Sequence, residues 1–509
     1  MAEGYAQASG RLGVALVTSG PGATHALTAT ASANSDSIPV VVITGQVSTS
    51  LFGCGPLQDS SGGGVVDVVE VFRSATKLSA AVADVHQLPV MLRRALRAAT
   101  ASVPGAVHLN VPVNVLTDET AAPPKQAKVA AIPRTHLPPG IVTTIADALS
   151  QVQHPVVLAG LGAKLSGAGA ALTELAERTG ALVATTIKGK GVFPEDHALS
   201  VGCIGPFGGT PKAHATVLSE RVDFLLVLGS SMGELATLGW DQRLVANRRV
   251  CQIDLNPLHI GRTLPVDIPA VADVRAAVED LVTCLPERVL TPCVNTSWVE
   301  RRTDCSMLSG STVVRLLSEI CPDDVLLYVD NGNCLGWVGE QYVARLSGSI
   351  YCSLNTGCIG YATPAAIGGK FAKPGRPVVA LTGDAAFAMT GMDIHTAVEY
   401  ELPITWVVLN NGGNGMVSCI QNMLFERSSG AMYDNTIDFA TIARGLRVSS
   451  STVTSADEFT IALKTALIAG KPHLIDAWVD PCEVPWGLRA RADRLRGLDS
   501  GLRAEQQVR

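Results

Sequence analysis

Short apolar runs alternate with amphipathic stretches along this chain. Residues 14–17, 40–44, 156–159, 224–228, 378–381 and 404–409 are apolar almost without interruption, Thr44 and Thr405 apart, rather than alternating. Strands covered by helices on both faces show that pattern, so it predicts parallel βα units. Three blocks of such units follow one another. The first ends near residue 116 and is followed by a Pro- and Lys-containing stretch, 117–139, that reads as a linker. The second covers 140–285, a second linker covers 286–308, and the third block covers 309–485. An Arg-rich tail, 486–509, closes the chain. The expected fold class is α/β, with three doubly wound parallel-sheet domains.

Composition narrows the partners. The 509 residues are 47% hydrophobic and 17% charged, with a net charge of −6. A surface that tracks nucleic-acid phosphates needs a basic excess, so small molecules are the expected partners. The 12 cysteines are scattered, with no C-x-x-C pair and no His at metal-ligand spacing. Reduced thiols and a cytoplasmic location fit this usage. No stretch reaches the roughly 18 continuous apolar residues that span a bilayer, so no membrane is expected.

Chemistry concentrates between Pro377 and Met416, read as PVVALTGDAAFAMTGMDIHTAVEYELPITWVVLNNGGNGM. A strand ends at Thr382, Gly383-Asp384 turns the chain, a helix runs to about Glu401, and a second strand ends at Leu409. A right-handed crossover lays the two strands parallel in one sheet, with their carboxyl ends side by side. Asp384 and Asn411 can then offer a carboxylate and an amide oxygen to one Mg²⁺. The backbone of Gly383, Ala385 and Ala386 can offer N–H donors to a phosphate at the helix start. An ordinary βαβ unit, in which the Asp caps a helix and the Asn pair forms a turn, fits the same residues.

The GD-x-x segment ending in NN resembles the fingerprint of thiamine diphosphate (ThDP) enzymes, and its flanks resemble the acetolactate-synthase-like group. Asn355 to Gly369 (NTGCIGYATPAAIGG), Thr18 to Thr24 (TSGPGAT), Ile43 to Gln46 (ITGQ), Lys188 to His197 (KGKGVFPEDH) and Gln252 to Gly261 (QIDLNPLHIG) extend the resemblance over nearly the whole chain. It implies a pyrimidine-binding, a central and a diphosphate-binding domain. It implies Gly413 as a third Mg²⁺ ligand through its carbonyl, and Gly357, Ile359 and Met416 as contacts of the cofactor's pyrimidine. Gln58 and Lys77 match active-site positions, and Asn333 stands where a diphosphate contact is usual. The reaction implied is decarboxylation of a 2-oxo acid and capture of a second carbonyl, in a homodimer or homotetramer.

Several positions depart from the family pattern. The Glu that contacts the pyrimidine normally precedes the helix beginning MAEGYA, and this chain starts after it, so the first domain is expected to be incomplete. Glu3 lies on the following helix and is expected to be a solvated residue. A wrongly assigned start, a fragment, or a paralogue or partner subunit with impaired catalysis would each account for this. Leu57 replaces a Phe, Asn333-Cys334 replaces Gln-His, and Ile420 occupies the place of a Trp that favours larger acceptors. The run GSSMGELAT after Leu228 does not resemble a flavin-contacting segment, and the central domain lacks a G-x-G-x-x-G fingerprint, so FAD is doubtful.

Overall fold

The apolar runs become the central strands of three parallel sheets, and the helical stretches between them cover both faces. The computed structural model describes residues 1–119, 133–285 and 307–507, so most of both expected linkers lies outside the described residues. The chain divides into two compact units, Met1–Pro133 with Ser353–Gly375, and Arg134–Cys352 with Arg376–Arg509.

In the first unit, β1 (Gly13–Val17), β2 (Val40–Gln46), β3 (Leu78–Ala81) and β4 (Ala106–Pro112) form a sheet of order β1-β2-β4-β3. Val40 and Val42 pack with Phe72 on one face, while Val41, Val107 and Leu109 pack on the other. β1 is an edge strand on which Val14 and Leu16 are exposed. The helix Ala2–Ser9 lies along the helix Ala362–Ala372, so closely that a Cβ on Gly4 would strike the Ala365 carbonyl. The segment Ser353–Gly375, counted with the third block in the sequence reading, thus packs with the first unit. Matched glycines between distant helices leave no mark on hydrophobic periodicity.

That helix pair also corrects the expectation for Glu3. Its side chain is buried, not solvated, because the face that carries it is covered. Burial, then the nearby Asp36 carboxylate, pushes the Glu3 carboxyl up to about 8.

The second unit holds two six-stranded sheets. The first contains β5 (Pro155–Ala159), β6 (Leu182–Thr186), β7 (Ser200–Ile204), β8 (Phe224–Leu228), β9 (Arg249–Asp254) and β10 (Ile268–Val271), ordered β10-β9-β8-β5-β6-β7. The strand order reverses between β5 and β8, where such sheets take dinucleotides. Here Gly160 and Gly162 press on the backbone of Gly229, leaving no room for a Cβ at either glycine.

The second sheet contains β11 (Leu326–Val329), β12 (Ile350–Tyr351), β13 (Val378–Gly383), β14 (Thr405–Asn410), β15 (Ser449–Val453) and β16 (His473–Trp478). Its order is β12-β11-β13-β14-β16-β15, with the reversal between β11 and β13. The stretch expected to be a tail forms the helix Trp486–Gln507. Leu488 and Ala492 are buried, and Arg491 lies 5.2 Å from the Phe207 ring centre and 2.9 Å from Glu234. Arginines that stack and pair in this way bind a helix to the fold.

Candidate active site

β13 and β14 are neighbours in register, Gly383 opposite Leu409, so the chain leaves both at the same edge of the sheet. Asp384 begins the helix Asp384–Thr390 and is buried. Its Oδ1 accepts from the Ala385 N–H at 2.8 Å, and its Oδ2 accepts from the Gly413 N–H at 2.7 Å. The N–H groups of Gly412 and Asn411 also favour the ionised form, yet burial dominates and pushes the carboxyl up to about 6. The Ala385 N–H, expected to face a phosphate, meets the Asp384 carboxylate in this structure. Ala386 is buried in the first helical turn, and the position of a Cβ on Gly383 is open space.

The two asparagines after β14 differ sharply. Asn410 donates to the Ile437 carbonyl at 2.9 Å and to Asp476 at 3.0 Å, and so ties the strand to its neighbours. Asn411 has a buried Oδ1 with no hydrogen-bond partner. A buried amide oxygen without a donor is costly, at about 1–3 kcal/mol, and a hard cation relieves it. Gly415 has no space for a side chain because the Asn411 amide lies against it. Gly412 (φ 81) and Gly413 (φ 158) provide the turn, in which the Gly413 carbonyl accepts from the Gly415 N–H at 2.9 Å. A carbonyl has a second lone pair, so it remains able to meet a cation. Met416 follows in the helix Gly415–Phe425, half-buried.

Across the strand reversal, Asn333 begins the helix Asn333–Gln341 after β11. Its Nδ2 lies 3.7 Å from Cys419 Sγ, and its buried Oδ1 has no partner. Sequence reasoning missed Asp330, which is fully buried between the ends of β11 and β13. Its N–H donates to the Leu381 carbonyl at 2.9 Å, and its Oδ2 accepts from Thr382 at 3.2 Å. The signal available was an Asp closing a strand ahead of a Gly. Tyr433 was missed too, and nothing in its sequence context marks it. Burial and then Asp384 raise its hydroxyl above the usual tyrosine range.

The first unit holds the remaining expected residues. Gly357 adopts φ 67 in a turn where its N–H donates to the Leu354 carbonyl at 3.0 Å, with open space where a Cβ would stand. Ile359, two residues on, is 36% exposed, an unusual surrounding for a core Ile. Gln58 has φ 64, and its Oε1 accepts from Ser19 at 3.1 Å. Lys77 donates to the carbonyls of Ala101 at 3.0 Å and Val103 at 2.5 Å, just past the helix Leu88–Thr100, and burial lowers its pKa.

Among the described residues, no group of three His, Cys, Asp or Glu could hold a metal, so a metal here would need amide and backbone oxygens. No helix among them is long and apolar enough to cross a membrane.

Family models match the chain in three places. The N-terminal TPP binding domain of thiamine pyrophosphate enzymes matches residues 1–65, the central domain 142–281, and the C-terminal TPP binding domain 330–477. A protein named probable acetolactate synthase large subunit, from Methanocaldococcus jannaschii, is 31% identical over all of this chain and 88% of its own length. An acetolactate synthase of Mycobacterium bovis is 32% identical over 84% of this chain and 70% of its own. A solved structure, that of a candidate thiamin diphosphate-dependent enzyme isolated from Mycobacterium smegmatis, shares the fold. It has a TM-score of 0.81 and 24% identity, over 94% of this chain and 90% of that one. With three matching domains in family order and relatives aligned over nearly its whole length, the chain belongs to the thiamine pyrophosphate enzymes and is acetolactate-synthase-like.

Proposed function

We propose that this enzyme acts on a 2-oxo acid such as pyruvate by decarboxylation and carboligation, with ThDP held through Mg²⁺ by Asp384, Asn411 and the Gly413 carbonyl. The observation that carries the reading is the buried, unpartnered Asn411 oxygen beside the buried Asp384 carboxyl, on adjacent strand ends. Bound ThDP supplies the thiazolium that accepts electrons as a 2-oxo acid loses CO₂.

The chain's own contribution is binding and orientation. Asp384 and Asn411 supply hard oxygens, and the Asn333 amide and the Ala386 end of its helix serve the diphosphate. Gly357, Ile359 and Met416 are assigned to the pyrimidine. Gln58, fixed by Ser19, is the amide assigned to the substrate. Lys77 would have to leave two carbonyls to reach a substrate, so we assign it to capping a helix end. FAD stays outside this reading because the run after Leu228 does not resemble a flavin-contacting segment and the central domain lacks a G-x-G-x-x-G fingerprint. A homodimer or homotetramer in a reducing cytoplasm completes the reading.

Calorimetry with ThDP, in Mg²⁺ and in EDTA, tests it, together with product analysis from pyruvate. Binding is expected only with the divalent cation, and Asp384→Ala should abolish it. Equal affinity in both buffers, or a variant that binds like the parent, would overturn the Mg²⁺ bridge.

A further inference from the structure

Asp36 lies just past the helix Pro21–Ser35 and is buried. Its carboxylate is spent on residues more than three hundred positions away. Oδ2 accepts from the Leu354 N–H at 2.8 Å and Oδ1 from the Asn355 N–H at 3.3 Å. Asn355 returns the contact, with Nδ2 donating to the Ser35 carbonyl at 2.5 Å. Ser353 joins from the same side: its hydroxyl meets that of Ser32 and also hydrogen-bonds the buried Glu3. The loop between Ser353 and the helix Ala362–Ala372 is therefore pinned at its start, and at its far end Tyr361 donates to Gln7. Between these pins lie Gly357 and Ile359, with Gly357 in a turn that closes on Leu354, a residue Asp36 holds.

A carboxylate accepting two consecutive backbone N–H groups is a strong, directional clamp, and it fixes both orientation and register of the loop it binds. An exposed loop of this length would otherwise sample many conformations, at an entropic cost to any ligand that needs one of them.

We propose that Asp36 is a positioning residue for the cofactor: it fixes the loop that presents Gly357 and Ile359. The proposal rests on the ThDP reading above.

The test uses the full chain with Mg²⁺ and compares the parent with Asp36→Asn, which keeps the shape but sets an NH₂ against one N–H. Two quantities are read, the hydrogen exchange of Leu354 and Asn355 amides and the dissociation constant for ThDP. Loss of a charge-assisted clamp should speed exchange there and weaken ThDP by about tenfold each, with amides of β5 and β8 unaffected. Parent-like exchange at Leu354 and Asn355 overturns the proposal. Faster exchange with parent-like ThDP affinity overturns it too, since the clamp would then be structural only. A parent that binds no ThDP brings down the functional reading first, and this proposal with it. Should Asp36→Asn fail to fold, Ser353→Ala removes a neighbouring pin and should show the same pattern at about threefold; parent-like values in that variant would also overturn the proposal.

Discussion

Asn410 and Asn411 are adjacent and chemically identical, yet one is committed to Asp476 and the Ile437 carbonyl while the other keeps a buried free oxygen. Their substitutions should separate accordingly. Asn410→Ala is expected to lower stability by about 1–3 kcal/mol, because it strips a donor from buried Asp476. Asn411→Ala should instead leave stability unchanged or slightly higher and weaken Mg²⁺-dependent ThDP binding, as read by urea midpoints and calorimetry. Two buried ionisable side chains give opposite pH effects. His108 is fully buried against Phe72, with Thr44 and Ser79 on its two ring nitrogens, and burial holds it down at about 4. Below pH 6.5 the unfolded chain takes up a proton that the folded one refuses until about 4. Its contribution to stability is intact above 6.5 and is lost as pH falls through that window, by about 3 kcal/mol. His108→Gln should flatten the loss in acid denaturation curves. Glu3, raised to about 8 from 4.5, keeps its proton in the folded state while the unfolded state releases it, so stability falls as pH rises across that range. Glu3→Gln should exceed the parent in stability at pH 8 and match it at pH 4.

At the scale of elements, glycines set how closely helices and loops approach. Gly4 and Gly368 bring the helices Ala2–Ser9 and Ala362–Ala372 into backbone contact. A methyl group at Gly368 would meet the Met1 carbonyl, and overpacking of this kind typically costs about 1–3 kcal/mol. Gly368→Ala should accordingly raise amide exchange in both helices while the six-stranded sheets keep their protection. The parallel strands themselves were readable in advance, since a strand buried on both faces must be apolar throughout. Each apolar run of the sequence lies within an observed strand or, at Ile404, begins one residue ahead of it. The helix Trp486–Gln507 was not readable, because its register depends on where Phe207, Glu234 and Gly239 lie.

At the scale of the whole molecule, each compact unit is held by buried polar contacts as well as by apolar cores. In the second unit Lys190 and Glu195 form a nearly inaccessible ion pair at 2.6 Å, and Glu195 also accepts from the Ala344 N–H at 2.9 Å. Lys190→Met strands a buried carboxylate and should cost about 3–5 kcal/mol, whereas the double variant with Glu195→Leu should recover much of it. Denaturant midpoints of the single and double variants check this. The sequence by itself determined the α/β class, the strand–turn–helix around Asp384 and the placement of Asn411 one crossover later. These are local patterns: burial on both faces dictates continuous apolar runs, and a crossover dictates adjacent strand ends. Only the tertiary structure decided which asparagine is free, that Glu3 is buried, that Ala385 is engaged by Asp384, and that Ser353–Gly375 folds with the first unit. Each of those outcomes depends on hydrogen-bond partners or packing surfaces that the fold supplies, and most come from segments distant in the chain, to which periodicity and composition are blind.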